Sequence, residues 1–463
     1  MVSNGIEIAK RSLAAQRYAM DVIGHNLANV NTEGYSRQQV VLQTTNPILI
    51  PVINKNKPLA SLGTGVMLTQ IERIRDDFLD SQRRGISNDK GTWDQQYTNY
   101  DMIQGIFNEP SDTGIAANMT KFWDAWQNLA TPDPSSAGAR SNLVSQARVL
   151  AGALQQTRTQ LVDLQKNNNT DIGLKVARIN DLADQIAVIN GQIVESKASG
   201  DANDLEDKRN VLVGEMSQLV NMEYYVDTTG SSTIAIGGSF IVADRNTNHL
   251  AATIDTNNYG YNKITWEENG KSALINGGEL YGLIKSRDEN VAGYIDNVDT
   301  FAAKLIETIN NQHKAGFDLK GAQGGSFFTG TDASDIKVNE ELINDPSRVA
   351  ASSRNTDSNG NGENAIAIAQ IRNSLTMNSN STTLDEFYQN MISNLGTTTA
   401  ETQTYSDINA GLLSQVDKQI VSTSGVSIDE EMSELIKTEQ AYQSAAKYMQ
   451  AVQDTMDTLL KIV

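Results

Sequence analysis

The sequence predicts a mainly α, elongated, multi-domain protein with β-rich insertions and with paired coiled-coil helices from its N- and C-terminal ends. Three observations predict it. Ile6, Ala9, Leu13, Gln16, Met20, Ile23, Leu27 and Val30 step by three and four, which is the seam of a heptad helix. Leu435, Thr438, Tyr442, Ala445, Met449, Val452, Met456, Leu459 and Val463 do the same at the other end. Between them, residues 221–277 change character and are rich in Thr, Ile, Tyr, Gly and Asn, as short strands with turns are.

The elements follow in order. The first helix covers about the first thirty residues and ends in the turn formers Asn29-Val-Asn-Thr-Glu-Gly34. Residues 35–75 read as extended, with β-branched runs broken by Pro47, Pro51, Pro58, Gly63 and Gly65. A second helix is expected from Asp76 to Phe107, interrupted near Gly85 or Gly91. A third follows Ser111 and carries Phe122, Trp123, Trp126 and Leu129, with Pro132 and Pro134 behind it. From Pro134 to about Lys197 the chain reads as mostly helix, with Ile172, Val176, Ile179, Leu182, Ile186, Ile189 and Ile193 on one stripe. Another helix spans Asp204–Val220, and a long one runs from Glu279 to about Lys314. A mixed stretch from Gly316 to Glu363 precedes more helix, to about Val421. The last helix opens on Ser427 and Glu430, a capping-box pair, with Asp429, Glu430 and Glu431 in its positive first turn.

Composition excludes several function classes. The formal charge of −19 opposes binding to phosphate backbones or to an anionic membrane surface. No cysteine is present, so disulfides and thiolate metal sites are ruled out. The first twenty residues lack the apolar core of a signal peptide, and no stretch reaches eighteen predominantly apolar residues.

Catalytic patterns are missing too. No H-E-x-x-H joins His25, His249 and His313. His25 reads as a packing or hydrogen-bonding residue, His249 as exposed in a polar loop, and His313 as a cation suited to the end of a long helix. Gly237-Gly238-Ser239 reads as a strand turn, and Trp123 and Trp126 as core. Asn355-Thr-Asp357-Ser-Asn359-Gly360 starts like a calcium loop, but its twelfth position is Ile366, which offers no carboxylate; a plain turn is expected. The acidic run from Asp201 to Asp207 reads as a solvated helix start. The expectation is a protein that is not an enzyme, with no catalytic residue, metal or cofactor.

Two amphipathic helices at opposite ends of a chain need partners, most simply each other. An isolated helix of this length is marginal in water. Both ends are therefore expected to stay loose in the monomer and to order on docking against each other and against neighbouring copies. Helices that merely cap a domain of their own chain would give the same periodicity.

Asn26-Leu-Ala28-Asn29-Val-Asn31-Thr32-Glu-Gly34-Tyr35-Ser36-Arg37-Gln38 resembles the N-terminal signature of the flagellar axial proteins. Its Gly-Tyr-Ser-Arg-Gln ending is more similar to the hook-filament junction family, hook-associated protein 1, than to rod and hook subunits. Asn203-Asp-Leu-Glu-Asp-Lys-Arg209 resembles the middle of that family, and Gly278-Glu-Leu280 through Asn311, His313 and Gly316 its next long helix. Gly425-Val-Ser-Ile-Asp-Glu-Glu-Met432, Leu435-Ile-Lys437, Gln440-Ala-Tyr442 and Thr458-Leu-Leu460 are similar to its C-terminal signature. One departure is the short stretch between Phe328 and Ile336, where larger members carry a β insertion.

The resemblance implies a division of the chain. Residues 1–35 and 425–463 would form a terminal coiled-coil core. Residues 36–220 and 279–424 would form a mainly helical middle, with the extended segment 36–75 and the mixed stretch 316–362; residues 221–278 would form a small outer part. It also implies a structural subunit of the bacterial flagellum, leaving the cell by type III export without cleavage of a leader. Its partners would be itself in a helical ring, the flagellar hook protein, the second hook-filament junction protein, and a cytosolic export chaperone at the C-terminal helix. Ile6, Leu13, Met20, Ile23, Leu27, Val30, Leu435, Tyr442, Met449, Val452, Met456 and Leu459 would pack subunits together. Asn26, Ala28, Asn29, Asn31, Thr32, Gly34, Tyr35 and Arg37 would form the signature turn. The rivals are a sibling hook or distal rod subunit, a secreted coiled-coil adhesin, and an enzyme.

Overall fold

The computed structural model describes residues 2–50, 60–198, 200–356 and 358–462. Helix α1 (Val2–Ala28) and helix α11 (Ile428–Ile462) are the two heptad ends, and they pack antiparallel. The register is fixed at both ends of the pair. A Cβ on Gly5 would lie 3.3 Å from Tyr448 Oη and from the Val452 methyls, and Asn26 reaches Glu431. At one residue per residue, α1 begins level with about residue 455 of α11. The last two turns of α11 therefore run on past their partner.

The other face of α1 rests on a ribbon. Strand β1 (Gln38–Thr44) pairs antiparallel with β4 (Val66–Arg73), from Gln38 opposite Arg73 to Thr44 opposite Val66. Strands β2 (Ile48–Ile50) and β3 (Ala60–Leu62) extend it. Pro51 and Pro58 lie outside the described residues.

Helix α2 (Asp77–Phe107) is capped by Asp76, whose carboxylate accepts from Phe78 N at 2.9 Å and Leu79 N at 3.3 Å. It is unbroken, which corrects the expected interruption. Gly91 is there for close approach: a Cβ would run into the Gln218 carbonyl. Helix α3 (Ile115–Ala130) buries Phe122, Trp123, Trp126 and Leu129 as expected. Helix α4 (Ala137–Lys197) is one continuous span of 61 residues. Helix α5 (Asn203–Leu219) folds back against it.

The β-rich segment holds a four-stranded antiparallel sheet and a hairpin. The sheet comprises β5 (Glu223–Val226), β6 (Ser232–Ile236), β7 (Ser239–Ala243) and β8 (Asn246–Thr247), in that order. The hairpin is β9 (Leu250–Ile254) with β10 (Asn262–Trp266). The chain returns at Gly278, where φ is +80° and a Cβ would fall 2.5 Å from the backbone at Leu219–Val220, so there is no room for a side chain.

Helix α6 (Gly278–Lys285) passes through a π-helical turn (Ser286–Val291) into α7 (Ala292–Ala315). The mixed stretch contains β11 (Phe328–Thr329), β12 (Lys337–Val338) and the short helix α8 (Glu340–Asn344). Helix α9 (Glu363–Gln370) leads to α10 (Leu384–Ser424), which starts with a full capping box, Thr383 with Glu386. Helix α10 lies antiparallel on α2, with Ser406 on Asp94, Asp417 on Arg83 and Tyr405 stacked on Trp93 at 4.5 Å.

Two apolar cores result. The larger joins α3, α7 and the mixed stretch to the first half of α4, around Phe122, Trp126, Phe301, Phe327 and Phe328. The smaller joins the second half of α4 to α5, α6 and the sheet, around Ile179, Ile186, Ile234 and Trp266. Of the predicted α4 stripe only Ile189 falls short of full burial.

Candidate functional site

The predicted seams meet each other along the terminal pair, but unevenly. On α1, Ala9 and Ile23 are buried, while Ile6, Leu13, Gln16, Met20 and Leu27 are half-buried, as is Val30 in the turn just past the helix end. On α11, Thr438 and Ala445 are buried, and Leu435, Met449 and Val452 half-buried. Tyr442, Met456 and Leu459 stay 37%, 38% and 49% exposed. Met456 and Leu459 lie on the overhang, where α1 no longer covers α11. Val463 is outside the described residues. Ile428, Met432, Ile436 and Tyr448 add exposed apolar surface to the same helix.

The signature turn lies at the other end of the pair and is a polar clamp. Asn26 is buried and all four of its hydrogen-bonding positions are filled. Its Oδ1 accepts from Tyr35 Oη at 2.8 Å and Gln38 N at 2.9 Å; its Nδ2 donates to the Gln38 carbonyl at 2.9 Å and to Glu431 Oε2 at 3.0 Å. The Tyr35 hydroxyl, having given its proton to Asn26, accepts from His25 Nδ1 at 3.0 Å. Burial first, then Asp204, Asp207 and Glu431, pushes the Tyr35 hydroxyl well above its ordinary pKa. Arg37 Nε donates to Glu431 Oε1 at 2.6 Å, and Arg37 N to the Ser424 carbonyl at 2.8 Å. The Glu430 carboxylate turns to Arg37, 3.9 Å away, while its backbone N–H meets Ser427 Oγ at 3.5 Å.

The remaining signature residues shape the turn. Asn29 Nδ2 donates to the His25 carbonyl at 3.0 Å and Thr32 Oγ1 to Asn29 Oδ1 at 3.2 Å. Gly34 has φ +77°, and a Cβ there would strike Val211. Ala28 and Asn31 are exposed.

A second set of residues completes the clamp, and sequence reading missed it. Asp207, at the start of α5, accepts from Ser36 N and Ser36 Oγ, both at 2.8 Å. It also pairs with Arg73 at 2.7 Å and Arg75 at 3.4 Å. Glu206 pairs with Arg73 at 2.5 Å and Lys197 at 2.7 Å. Burial raises the Glu206 carboxyl, but the Lys197 hydrogen bond and the Arg73 charge outweigh it and hold the pKa below the usual range. Arg75 also pairs with Asp80. Gln38 Nε2 reaches Asp204 at 2.8 Å, and Asp201 takes the Ile71 N–H at 2.9 Å. Within the acidic run Glu206 and Asp207 thus form a buried ionic joint with Arg73 and Arg75, which corrects the expectation for those two, while Asp201 and Asp204 stay exposed as a solvated helix start would be. The available signal was the run's match in charge to Arg73 and Arg75, four and two residues before α2.

Two histidines also depart from expectation. His313 is fully buried and neutral, not a helix-end cation. Its Nε2 accepts the Ala350 N–H at 2.9 Å, so Nδ1 carries the proton and donates to the Gly325 carbonyl at 2.7 Å. His249 is half-buried and bonded to Asp184 at 2.9 Å.

Among the described residues no set of three His, Asp or Glu is placed to hold a metal, and no helix is long and apolar enough to cross a membrane. Asp357 of the Asn/Asp turn lies outside them. What the geometry presents is a tightly bonded neck carrying a pair of incompletely covered helices.

That arrangement defines a class: an axial subunit whose two ends form one arm. The comparisons agree. The model of the flagellar hook-associated protein FlgK helical domain matches residues 100–328. The flagella basal body rod protein model matches residues 6–35, and the flagellar basal body rod FlgEFG protein C-terminal model matches residues 418–462. The chain is 27% identical to flagellar hook-associated protein 1 of Bacillus subtilis, over 98% of this chain and 97% of that one. It is 23% identical to the proteins of the same name from Salmonella typhimurium and Escherichia coli, over 100% of both chains in each case. The flagellar hook junction protein FlgK from Burkholderia pseudomallei has a similar fold, with a TM-score of 0.63 at 16% identity, covering 73% of this chain and 99% of that one. The chain belongs to the flagellar hook-associated protein 1 family.

Proposed function

We infer that this protein is the structural subunit that joins the flagellar hook to the filament. The observation that carries the reading is the terminal arm. Its two helices are held at the neck by Asn26, Arg37 and Glu431, yet α11 leaves Ile436, Tyr448, Leu459 and Leu460 open to solvent. Such surface suits burial against further copies of the chain. The seams from Ile6 to Val30 and from Leu435 to Leu459 would pack subunits into a tubular ring, and the clamp would set the angle between arm and body.

The hook protein on one side and the second junction protein on the other are the proposed neighbours. A cytosolic chaperone would cover the C-terminal helix before type III export without a cleaved leader. In the proposed division, 1–35 with 425–463 forms the core of the tube, the helical body the next shell, and 221–278 the outside. The role is mechanical and needs no catalysis. Matches to both rod-protein models at the ends are what a sibling rod or hook subunit would share. The helical-domain match over 100–328 and the end-to-end relatives favour the junction.

Electron microscopy of cells lacking the gene tests this reading. Hooks without filaments, and flagellin in the medium, are expected; normal filaments would rule it out. Limited trypsin digestion of the purified monomer tests the loose ends. Cleavage at Arg11, Arg17, Lys447 or Lys461 is expected well before any at the buried Arg140 or Arg209. Equal resistance of both ends would mean that the arm is complete without partners.

A further inference from the structure

The two apolar cores do not merge, and what lies between them is polar on the helices that cross it: α2, α4, the α6–α7 strand, and α10, whose buried residues beside Asn99 are Thr399 and Thr402. On α4 the larger core ends at Leu164 and the smaller begins at Ile172; the buried residues between are Gln165 and Asn168. On the α6–α7 strand the smaller core ends at Leu283 and the larger begins at Val291, and the residues between include the buried Ser286 and Arg287. On α2, Gln96 and Asn99 are buried just before Ile103 of the larger core.

These side chains bond across the layer. Asn168 Nδ2 donates to Asn99 Oδ1 at 2.6 Å, and Gln165 Nε2 to the Arg287 carbonyl at 2.9 Å. Tyr261 Oη donates to Gln165 Oε1 at 2.9 Å, and Arg287 to Asn169 Oδ1 at 2.8 Å and the Asn262 carbonyl at 2.7 Å. Ser286 Oγ and Asn290 Nδ2 find no hydrogen-bond partner among the described residues.

Two backbone features coincide with the layer. The π-helical turn occupies Ser286–Val291, a widened i→i+5 turn of a kind that is rare and appears mostly as a bulge inside α-helices, often at functional sites. On α4, Asn167-Asn-Asn-Thr-Asp171 is a run of weak helix formers in the middle of a 61-residue helix. A helix this long has no local reason to place its weakest stretch there. The coincidence has one if this plane is where the helices are meant to give.

We propose that the polar layer of Asn99, Gln165, Asn168, Ser286 and Arg287 is a built-in hinge dividing the helical body into two halves that open independently. The half nearer the neck holds α5, α6, the β-sheet and the second half of α4. The other holds α3, α7, the mixed stretch and the first half of α4. Apolar burial holds each half together, whereas the layer between them gains little net stability from exchanging water for protein hydrogen bonds. The hinge would let a subunit between two tubes bend within its body without loosening either core. The inference does not depend on the junction assignment, since it concerns only this chain's own packing.

Native-state hydrogen exchange of the intact monomer, followed by mass spectrometry in increasing denaturant, tests it. Amides of α4 143–164 and α7 are expected to share one opening constant. Those of α4 172–193 and β6–β7 are expected to share another, different by at least about tenfold. One common constant on both sides of the layer would overturn the proposal. The double variant Asn99→Leu with Asn168→Leu replaces a polar bridge by an apolar one and is expected to bring the two constants within about threefold. Gln165→Met, milder in shape, is expected to narrow the gap in the same direction should the double variant fail to fold. A folded variant in which the gap is unchanged would show that the layer does not set the boundary.

Discussion

Asp207→Ala is expected to lower the unfolding free energy by about 3 kcal/mol, the low end of the range for removing one partner of a buried ionic cluster. Asp207 is 5% exposed and is the carboxylate that Arg73 and Arg75 share. Without it Arg75 keeps Asp80 and Arg73 keeps Glu206, which limits the loss. Ser36 keeps only the hydrogen bond its oxygen accepts from Arg75 at 2.9 Å: its N–H and its hydroxyl proton both go to Asp207, and Ser36 is buried. An unpaired buried donor costs about 1–3 kcal/mol on its own. Asp207→Asn should recover part of the loss, because the amide oxygen still accepts from Ser36 while the charge is gone. Urea unfolding gives the stability, and exchange at the Ser36 and Ile71 amides reports where the structure opens. A loss under about 1 kcal/mol for the alanine variant would place the cluster with solvated surface pairs.

The terminal helices were legible in the sequence because a heptad seam is a local, one-dimensional pattern. Burial along that seam was not. Thr438 is polar and buried, whereas Leu459 is apolar and half exposed, because α1 stops short of α11. Periodicity gives the face of a helix, and only the partner's length says how far the face is covered. The clamp shows a different limit. Asn26 and Arg37 stood out through the signature they resemble, but Asp207 and Glu206 looked like an ordinary acidic helix start. What changes their meaning is Arg73, more than 130 residues earlier in the chain, delivered by the last residue of β4. Gly91 was read as a break for a similar reason. Helix propensity counts the cost of a glycine, while the Gln218 carbonyl that makes it necessary belongs to a different helix. The π-helical turn left no trace in the apolar stripe at all, since Leu283 and Ile295 each stay buried, in different cores.

Acidification from pH 7 to 4 is expected to cost roughly 3 kcal/mol of stability through His313 alone. Burial lowers the His313 pKa from 6.5 to about 4, with the Gly325 hydrogen bond opposing and the Arg140 charge assisting. Arg140 is itself buried, and burial pulls its pKa down to about 10, so it still carries its charge in this range. The sign follows from which state holds more protons. Between about pH 4 and 6.5 the unfolded chain binds a proton at this histidine and the folded chain does not. Stability is therefore full above 6.5 and falls as the pH drops towards 4. The geometry gives the same answer: a proton on Nε2 would face the Ala350 N–H, which needs an acceptor. Carboxylates titrate in the lower part of this window, so the histidine is isolated by difference. His313→Gln loses some packing at every pH, but its stability should fall less steeply than the wild type between pH 6.5 and 5, above the range of Glu206. Equal slopes in that interval would mean that His313 already takes up its proton in the folded protein. The helix end would then be the cationic site that its position on α7 first suggested, and the Ala350 contact would have to open to allow it.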